Sequence, residues 1–78
     1  MYYVYAIRSL VRNYIYVGLT NMVERRINEH NKGQNRSTKA YIPFNLIYVE
    51  MFNTREKARK KEIYLKSGIG KEFLRNLY

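Results

Sequence analysis

Two runs of aromatic and β-branched residues, separated by only a few polar positions, do most to limit what this chain can fold into. Residues 2–8 (Tyr-Tyr-Val-Tyr-Ala-Ile-Arg) and 14–19 (Tyr-Ile-Tyr-Val-Gly-Leu) have the composition of β-strands. Alternation places Tyr3, Tyr5 and Ile7 on one face of the first strand, and Tyr14, Tyr16 and Gly18 on one face of the second. The break between them is short, so the pair predicts a hairpin. A register with Tyr5 opposite Tyr16 pairs Arg8 with Asn13, leaves residues 9–12 as a four-residue loop, and brings both tyrosine hydroxyls out on the same face.

A helix is predicted next. Asn21 can cap it, with Glu24 in its first turn, and Gly33 ends it beyond Asn31. Val23, Arg26, Ile27 and His30 recur at helical spacing, so an arginine and the chain's only histidine share the stripe expected to face the sheet. Residues 31–43 are irregular and close with Pro43. A third strand over 44–52 has two largely apolar faces, the pattern of a central strand covered by helices. Asn53 or Thr54 then caps a helix over 55–66, with Ala58, Glu62 and Leu65 on one stripe and basic residues over much of the rest. Ser67 and Gly68 end it, and residues 71–77 form a last short helix whose Phe73, Leu74 and Leu77, with Ile69, pack back on the body. The whole is one domain, residues 1–78, of α/β (α+β) class: a small three-stranded antiparallel sheet flanked by helices, in the order β-β-α-β-α-α.

A chain of 78 residues buries only roughly 60–65% of the surface its unfolded form exposes, so the core is small. It has no cysteine to staple it, which fits a reducing cytoplasm. No apolar run approaches the ~20 residues that span a bilayer, and residues 1–5 lack the pattern of a secretion signal. Fifteen Lys and Arg against six acids leave a net charge of +9, which implies a polyanionic partner, nucleic acid before all others. A membrane surface is disfavoured because the cations are spread along a folded chain rather than set opposite one broad apolar face.

Elimination narrows the chemistry. There is no Asp, and of the six Glu, Glu24 and Glu56 suit first-turn helix positions while Glu29 and Glu72 read as ordinary surface charges. Only Glu62 falls between apolar positions of a helical stripe, where a lone carboxylate is costly unless paired or bound to a cation. It is either a metal ligand or half of a structural bridge to Arg26 or a neighbouring lysine. One carboxylate suffices for one Mg²⁺ completed by water and phosphate oxygens, but the chain shows no tight carboxylate cluster for a two-metal plan. One His and no Cys cannot build the usual zinc site, and acyl-transfer triads lack their Asp.

Taken together these residues resemble the GIY-YIG nuclease domain, in particular small stand-alone members similar to the N-terminal domain of the excision-repair endonuclease subunit. The resemblance covers essentially the whole chain. The first half-motif is Tyr3-Val4-Tyr5, with Tyr in place of the eponymous Gly, and the second is Tyr16-Val17-Gly18, eleven positions after Tyr5. Arg26 follows at the place of the family's arginine, His30 where the family carries His or Tyr, and Glu62 at its metal-binding glutamate. Leu19 stands where excision-repair members have lysine, and Asn76 is a loose match to a late asparagine.

The resemblance implies hydrolysis of nucleic-acid phosphodiester bonds, DNA first, with one Mg²⁺ (or Mn²⁺) on Glu62. It implies Arg26 on the scissile phosphate, Tyr5 as the group that takes a proton from water, Tyr16 positioning water or metal, and His30 as base or relay. The cations Lys32, Arg36 and Lys39 of the loop, with Lys57, Lys60 and Lys61, are expected to hold flanking phosphates. Two other readings stand beside the enzyme: a nucleic-acid-binding module on the same fold with little or no cleavage, and a small interaction protein that meets an acidic protein partner. A domain this small leaves selectivity to substrate shape or to a protein partner, and nothing in the sequence asks for more than a monomer.

Overall fold

The computed structural model describes residues 1–77. Its elements are β1 (Tyr2–Ser9), β2 (Ile15–Thr20), α1 (Val23–Asn31), a single 3-10 turn at Lys39–Tyr41, β3 (Phe44–Phe52), α2 (Arg55–Lys66) and α3 (Gly68–Arg75). The sheet is antiparallel throughout, in the order β2-β1-β3, so the α+β architecture predicted from the sequence is the one observed.

Two details of the sheet differ from expectation. The central strand is β1, whose residues Val4 to Ile7 are all buried, whereas β3 is an edge that leaves Leu46, Val49 and Met51 exposed. A bulge between the Ala6 and Ile7 pairings skips Ile47 and switches the sides of β3. Phe44 and Leu46 therefore share a face with Val49 and Met51 rather than with Tyr48, and this break in alternation is what made both faces look apolar. The hairpin register is also shifted by two residues from the predicted one: Tyr5 lies opposite Gly18, and Tyr16 opposite Ile7. The Ser9 hydroxyl accepts from the N–H groups of Val11 and Arg12 and donates to the Tyr41 carbonyl at 2.6 Å, while the Ser9 N–H donates to the Tyr14 carbonyl. These bonds close a turn over residues 10–13. A two-residue slip conserves side-chain parity, so the tyrosines stay on one face.

The sheet separates two apolar layers. On one side Val4, Ala6, Ile15 and Val17 pack with Ala58 and Leu65 of α2 and Leu74 of α3. On the other, Tyr5, Ile7 and Phe44 pack with Tyr14, Tyr16, Ile27 of α1, Tyr41 and Ile42. Thr54 caps α2 by accepting from the Lys57 N–H, as its position suggested. The Asn21 cap is not used: α1 begins after Met22, which has no side-chain cap, and Thr20 Oγ1 instead takes the Met22 N–H at 3.0 Å. Gly33, with φ of +75°, follows α1 in the left-handed region that glycine tolerates best. The α3 helix starts three residues earlier than predicted because Ser67 both ends α2 and caps α3, its hydroxyl accepting from the Gly70 N–H. Close passage of the two helices is possible because Gly70 has no side chain: a Cβ there would lie 2.1 Å from the Tyr64 carbonyl oxygen. Of the apolar residues expected to pack back from this helix, Leu74 is buried and Phe73 meets the Tyr48 ring edge-on, while Ile69 and Leu77 remain largely in solvent.

Candidate active site

Gly18 makes the centre of this site possible. Tyr5 extends from β1 across the strand pair, and its ring tip lies where a Gly18 side chain would be: a Cβ there would be 2.6 Å from the hydroxyl oxygen. In that position Tyr5 is 1% exposed, and its hydroxyl is 3.0 Å from His30 Nε2 of α1. The Tyr16 ring lies on the same face, 4.7 Å from the His30 ring and 6.3 Å from that of Tyr5. Gly18 is thus more than a strand end that lets a helix approach.

Arg26 comes from the same face of α1 as His30, one helical turn earlier. Its guanidinium bonds Glu29 at 2.6 Å, and its charge acts on the Tyr5 hydroxyl. Burial opposes its charge, but Glu29 and Tyr5 more than offset that, and its pKa is raised. Glu29, which the sequence offered as an ordinary surface charge, therefore aims the arginine. The Tyr5 hydroxyl is pushed up to about 12, by burial first and then by Tyr16, with Arg26 pulling it down and Glu62 adding to the rise. His30 is fully buried, and its pKa is lowered by burial and by Arg26, with Glu29 acting the other way. Its remaining nitrogen, Nδ1, is 2.8 Å from Thr38 Oγ1. Thr38 lies in the irregular loop and is also fully buried.

Glu62 reaches the region from α2, on the other layer of the sheet, and is 6% exposed. It pairs with Arg59 at 2.8 Å and Lys66 at 3.2 Å, both half in solvent, rather than with Arg26. Its charge is felt at Tyr5, so the two groups are within electrostatic reach. Among the described residues no group of three or more His, Cys, Asp or Glu could hold a metal. One nearly buried carboxylate does fit a single hard cation whose other ligands are water and phosphate oxygens.

The predicted phosphate-binding residues are not all in one place. Arg36 joins Arg26, Glu29, Gln34 and Asn35 around a groove of about 440 Å³ beside the site. Lys32 lines a neighbouring groove with Arg25 and Asn28, and Lys39 is exposed at the 3-10 turn. Lys57, Lys60 and Lys61 are on α2, in the other layer; Lys61 is 3.7 Å from Glu50 and lies over the Tyr64 ring.

A family model for the GIY-YIG catalytic domain matches residues 1–76. The chain belongs to the GIY-YIG family. It is similar to the UPF0213 proteins of Bacillus licheniformis and Streptococcus agalactiae, 40% identical over 53 residues in each case. Those matches cover 67% of this chain and 55% and 60% of the relatives, so the matched stretch spans little more than half of their length. The UPF0213 protein of Haloquadratum walsbyi is 37% identical over 67 residues, 85% of this chain and 74% of that one. The solution NMR structure of the UPF0213 protein from Bacillus halodurans superposes with a TM-score of 0.58 at 33% identity, covering 99% of this chain and 85% of that one. These are small stand-alone GIY-YIG proteins. GIY-YIG membership points to nuclease activity in general and typically to a divalent metal, while the names of the relatives give no specific function. No described helix is long and apolar enough to cross a membrane.

Proposed function

We propose that this GIY-YIG chain is a metal-dependent endonuclease that hydrolyses phosphodiester bonds of DNA with one Mg²⁺ or Mn²⁺, as a cytoplasmic monomer. The observation that carries the proposal is the buried Tyr5 hydroxyl of β1, 3.0 Å from His30 Nε2 of α1 and within electrostatic reach of Arg26 and Glu62. Glu62 would hold the cation, exchanging its contacts with Arg59 and Lys66 for it. Such an ion, when bound, offsets charge developing on the phosphate and makes nearby water easier to deprotonate. Arg26, already aimed by Glu29, donates its planar fork to the scissile phosphate. Tyr16 borders the space in which water is positioned.

Tyr5 takes the proton from the attacking water. A hydroxyl raised to about 12 is a poor source of free phenolate at neutral pH, and the bond to His30 removes that difficulty. As the water proton arrives at the Tyr5 oxygen, the proton already there passes to His30 Nε2, 3.0 Å away. The hydroxide attacks phosphorus, the P–O bond to the leaving strand breaks, and the leaving oxygen takes a proton from solvent. A depressed imidazole pKa keeps His30 neutral and ready to accept.

One observation favours the alternative, a binding module with little cleavage: Glu62 already carries two ion pairs and could serve as a structural bridge alone. Cleavage of single-stranded, duplex and branched DNA, and of RNA, with Mg²⁺, Mn²⁺ or EDTA decides between them. Metal-dependent cutting that collapses in Glu62→Gln while binding persists supports the nuclease. Equal binding with no cutting by either protein supports the binding module.

A further inference from the structure

The hydrogen bonds leading away from Tyr5 have one consistent direction, fixed by the chemistry of their far end. At one end the Tyr5 hydroxyl meets His30 Nε2 and sits in the field of the Arg26 charge. At the other end the Asn35 backbone carbonyl, which can only accept, lies 3.3 Å from Thr38 Oγ1. The Thr38 hydroxyl has a single proton, and it goes to Asn35. Thr38 Oγ1 must then accept from His30, so Nδ1 carries the imidazole proton across the 2.8 Å contact. Nε2 is left bare and receives the Tyr5 proton across 3.0 Å. The reverse direction would make the Tyr5 oxygen the acceptor and leave the Tyr5 proton without an acceptor among its described hydrogen bonds.

We propose that Thr38 is a positioning residue for this site: by accepting from Nδ1–H it sets the His30 tautomer whose bare Nε2 can take the proton of Tyr5. The proposal rests on the nuclease function above. With the other tautomer Nε2 would already carry a proton, and Tyr5 could not pass its own to His30. Thr38 is rigidly placed for this task. The Thr38 N–H bonds the same Asn35 carbonyl at 3.2 Å, and the Asn35 side chain holds Ser37 through both its N–H and its hydroxyl. The loop is anchored further by Asn31, whose amide accepts from the Phe44 N–H at 2.7 Å and donates to the Phe44 carbonyl. A proton delivered to Nε2 yields an imidazolium whose Nδ1–H is already bonded, so no rearrangement accompanies the transfer.

Thr38→Val has nearly the same volume and cannot accept from Nδ1–H; Thr38→Ser can. The first measurement is the ¹⁵N spectrum of the His30 ring in the free protein, which separates a protonated from a bare nitrogen and does not depend on activity. Wild type and Thr38→Ser should show Nδ1 protonated and Nε2 bare, and Thr38→Val should lose that pattern. The second is cleavage: kcat should fall at least about tenfold in Thr38→Val, with DNA binding unchanged, and recover in Thr38→Ser. A Thr38→Val protein that keeps the wild-type tautomer overturns the proposal, as does one that loses it yet cuts at the wild-type rate. If the wild type cuts no substrate, the nuclease function fails and the proton path with it, while the spectra still report whether Thr38 sets the tautomer.

Discussion

Replacing Gly18 with alanine tests the packing on which the whole site depends. The added Cβ would lie 2.6, 2.7 and 2.8 Å from the Tyr5 hydroxyl oxygen, Cζ and Cε1. Unstrained contacts with carbon are about 3.5–4.0 Å, so the ring tip must retreat by about 1 Å. It has little freedom to do so, because the ring is buried and its hydroxyl is held by His30. Overfilling a packed site costs about 1–3 kcal/mol, and alanine in a strand recovers about 0.5–1 kcal/mol relative to glycine. The expected net loss is about 1–2 kcal/mol, which for a domain of this size lowers Tm by roughly 4–15 °C. A 1 Å retreat also stretches the Tyr5–His30 bond beyond hydrogen-bonding range, so cleavage should fall by more than the stability loss explains. Thermal unfolding by circular dichroism, with cleavage assayed well below the variant's Tm, reads both effects. Gly68→Ala is the control: a Cβ at Gly68 meets nothing within 4 Å, and both readouts should stay close to wild type. A Gly18→Ala protein with wild-type Tm and wild-type cleavage would refute the argument that the glycine exists to admit the tyrosine.

Glu62→Gln should abolish cleavage while changing stability by less than about 1 kcal/mol in urea unfolding, because its partners Arg59 and Lys66 are half exposed and solvent screens them. Because His30 is depressed in the folded state, the unfolded chain binds more protons just below its own imidazole pKa of about 6.5. Wild-type stability should therefore fall as pH drops through that value and level off below the folded pKa, a component that urea titrations of His30→Gln should lack. Neutralising Lys32, Arg36 and Lys39 together should flatten the dependence of log DNA affinity on log salt by about two to three units if each holds a phosphate. Fluorescence anisotropy over a salt series would show an unchanged slope if these cations are merely solvated.

Much of this arrangement was legible in the sequence because it follows periodicity. The α2 boundaries and the buried stripe of Ala58, Glu62 and Leu65 follow from spacing by three and four, the cap was narrowed to Asn53 or Thr54 by residue type, and the tyrosine face of the hairpin follows from spacing by two. The hairpin register was not legible, since it depends on the Ser9 hydroxyl gathering the turn, and either register conserves parity. The edge position of β3 was hidden by its bulge at Ile47. Thr38 gave no periodic signal at all: a threonine in an irregular loop acquires meaning only once the fold brings it to His30. The role of Glu29 is hidden in the sequence for a related reason. On a helix diagram it looks exposed, and its role is visible only through the arginine it restrains.

The central position of β1 makes this one strand a register of two separate inheritances. Its even-numbered residues, Val4 and Ala6, face the apolar layer beneath α2, and its odd-numbered ones, Tyr5 and Ile7, face the layer that holds the site. A mutational scan scored once for cellular abundance and once for DNA cleavage should thus alternate along the strand, with Val4 and Ala6 changes lowering cleavage only as far as abundance falls and Tyr5 changes lowering it further than their loss of abundance explains. The same strand thus joins the packing of two layers, so a shift of its backbone on the α2 side moves the tyrosine of the site with it.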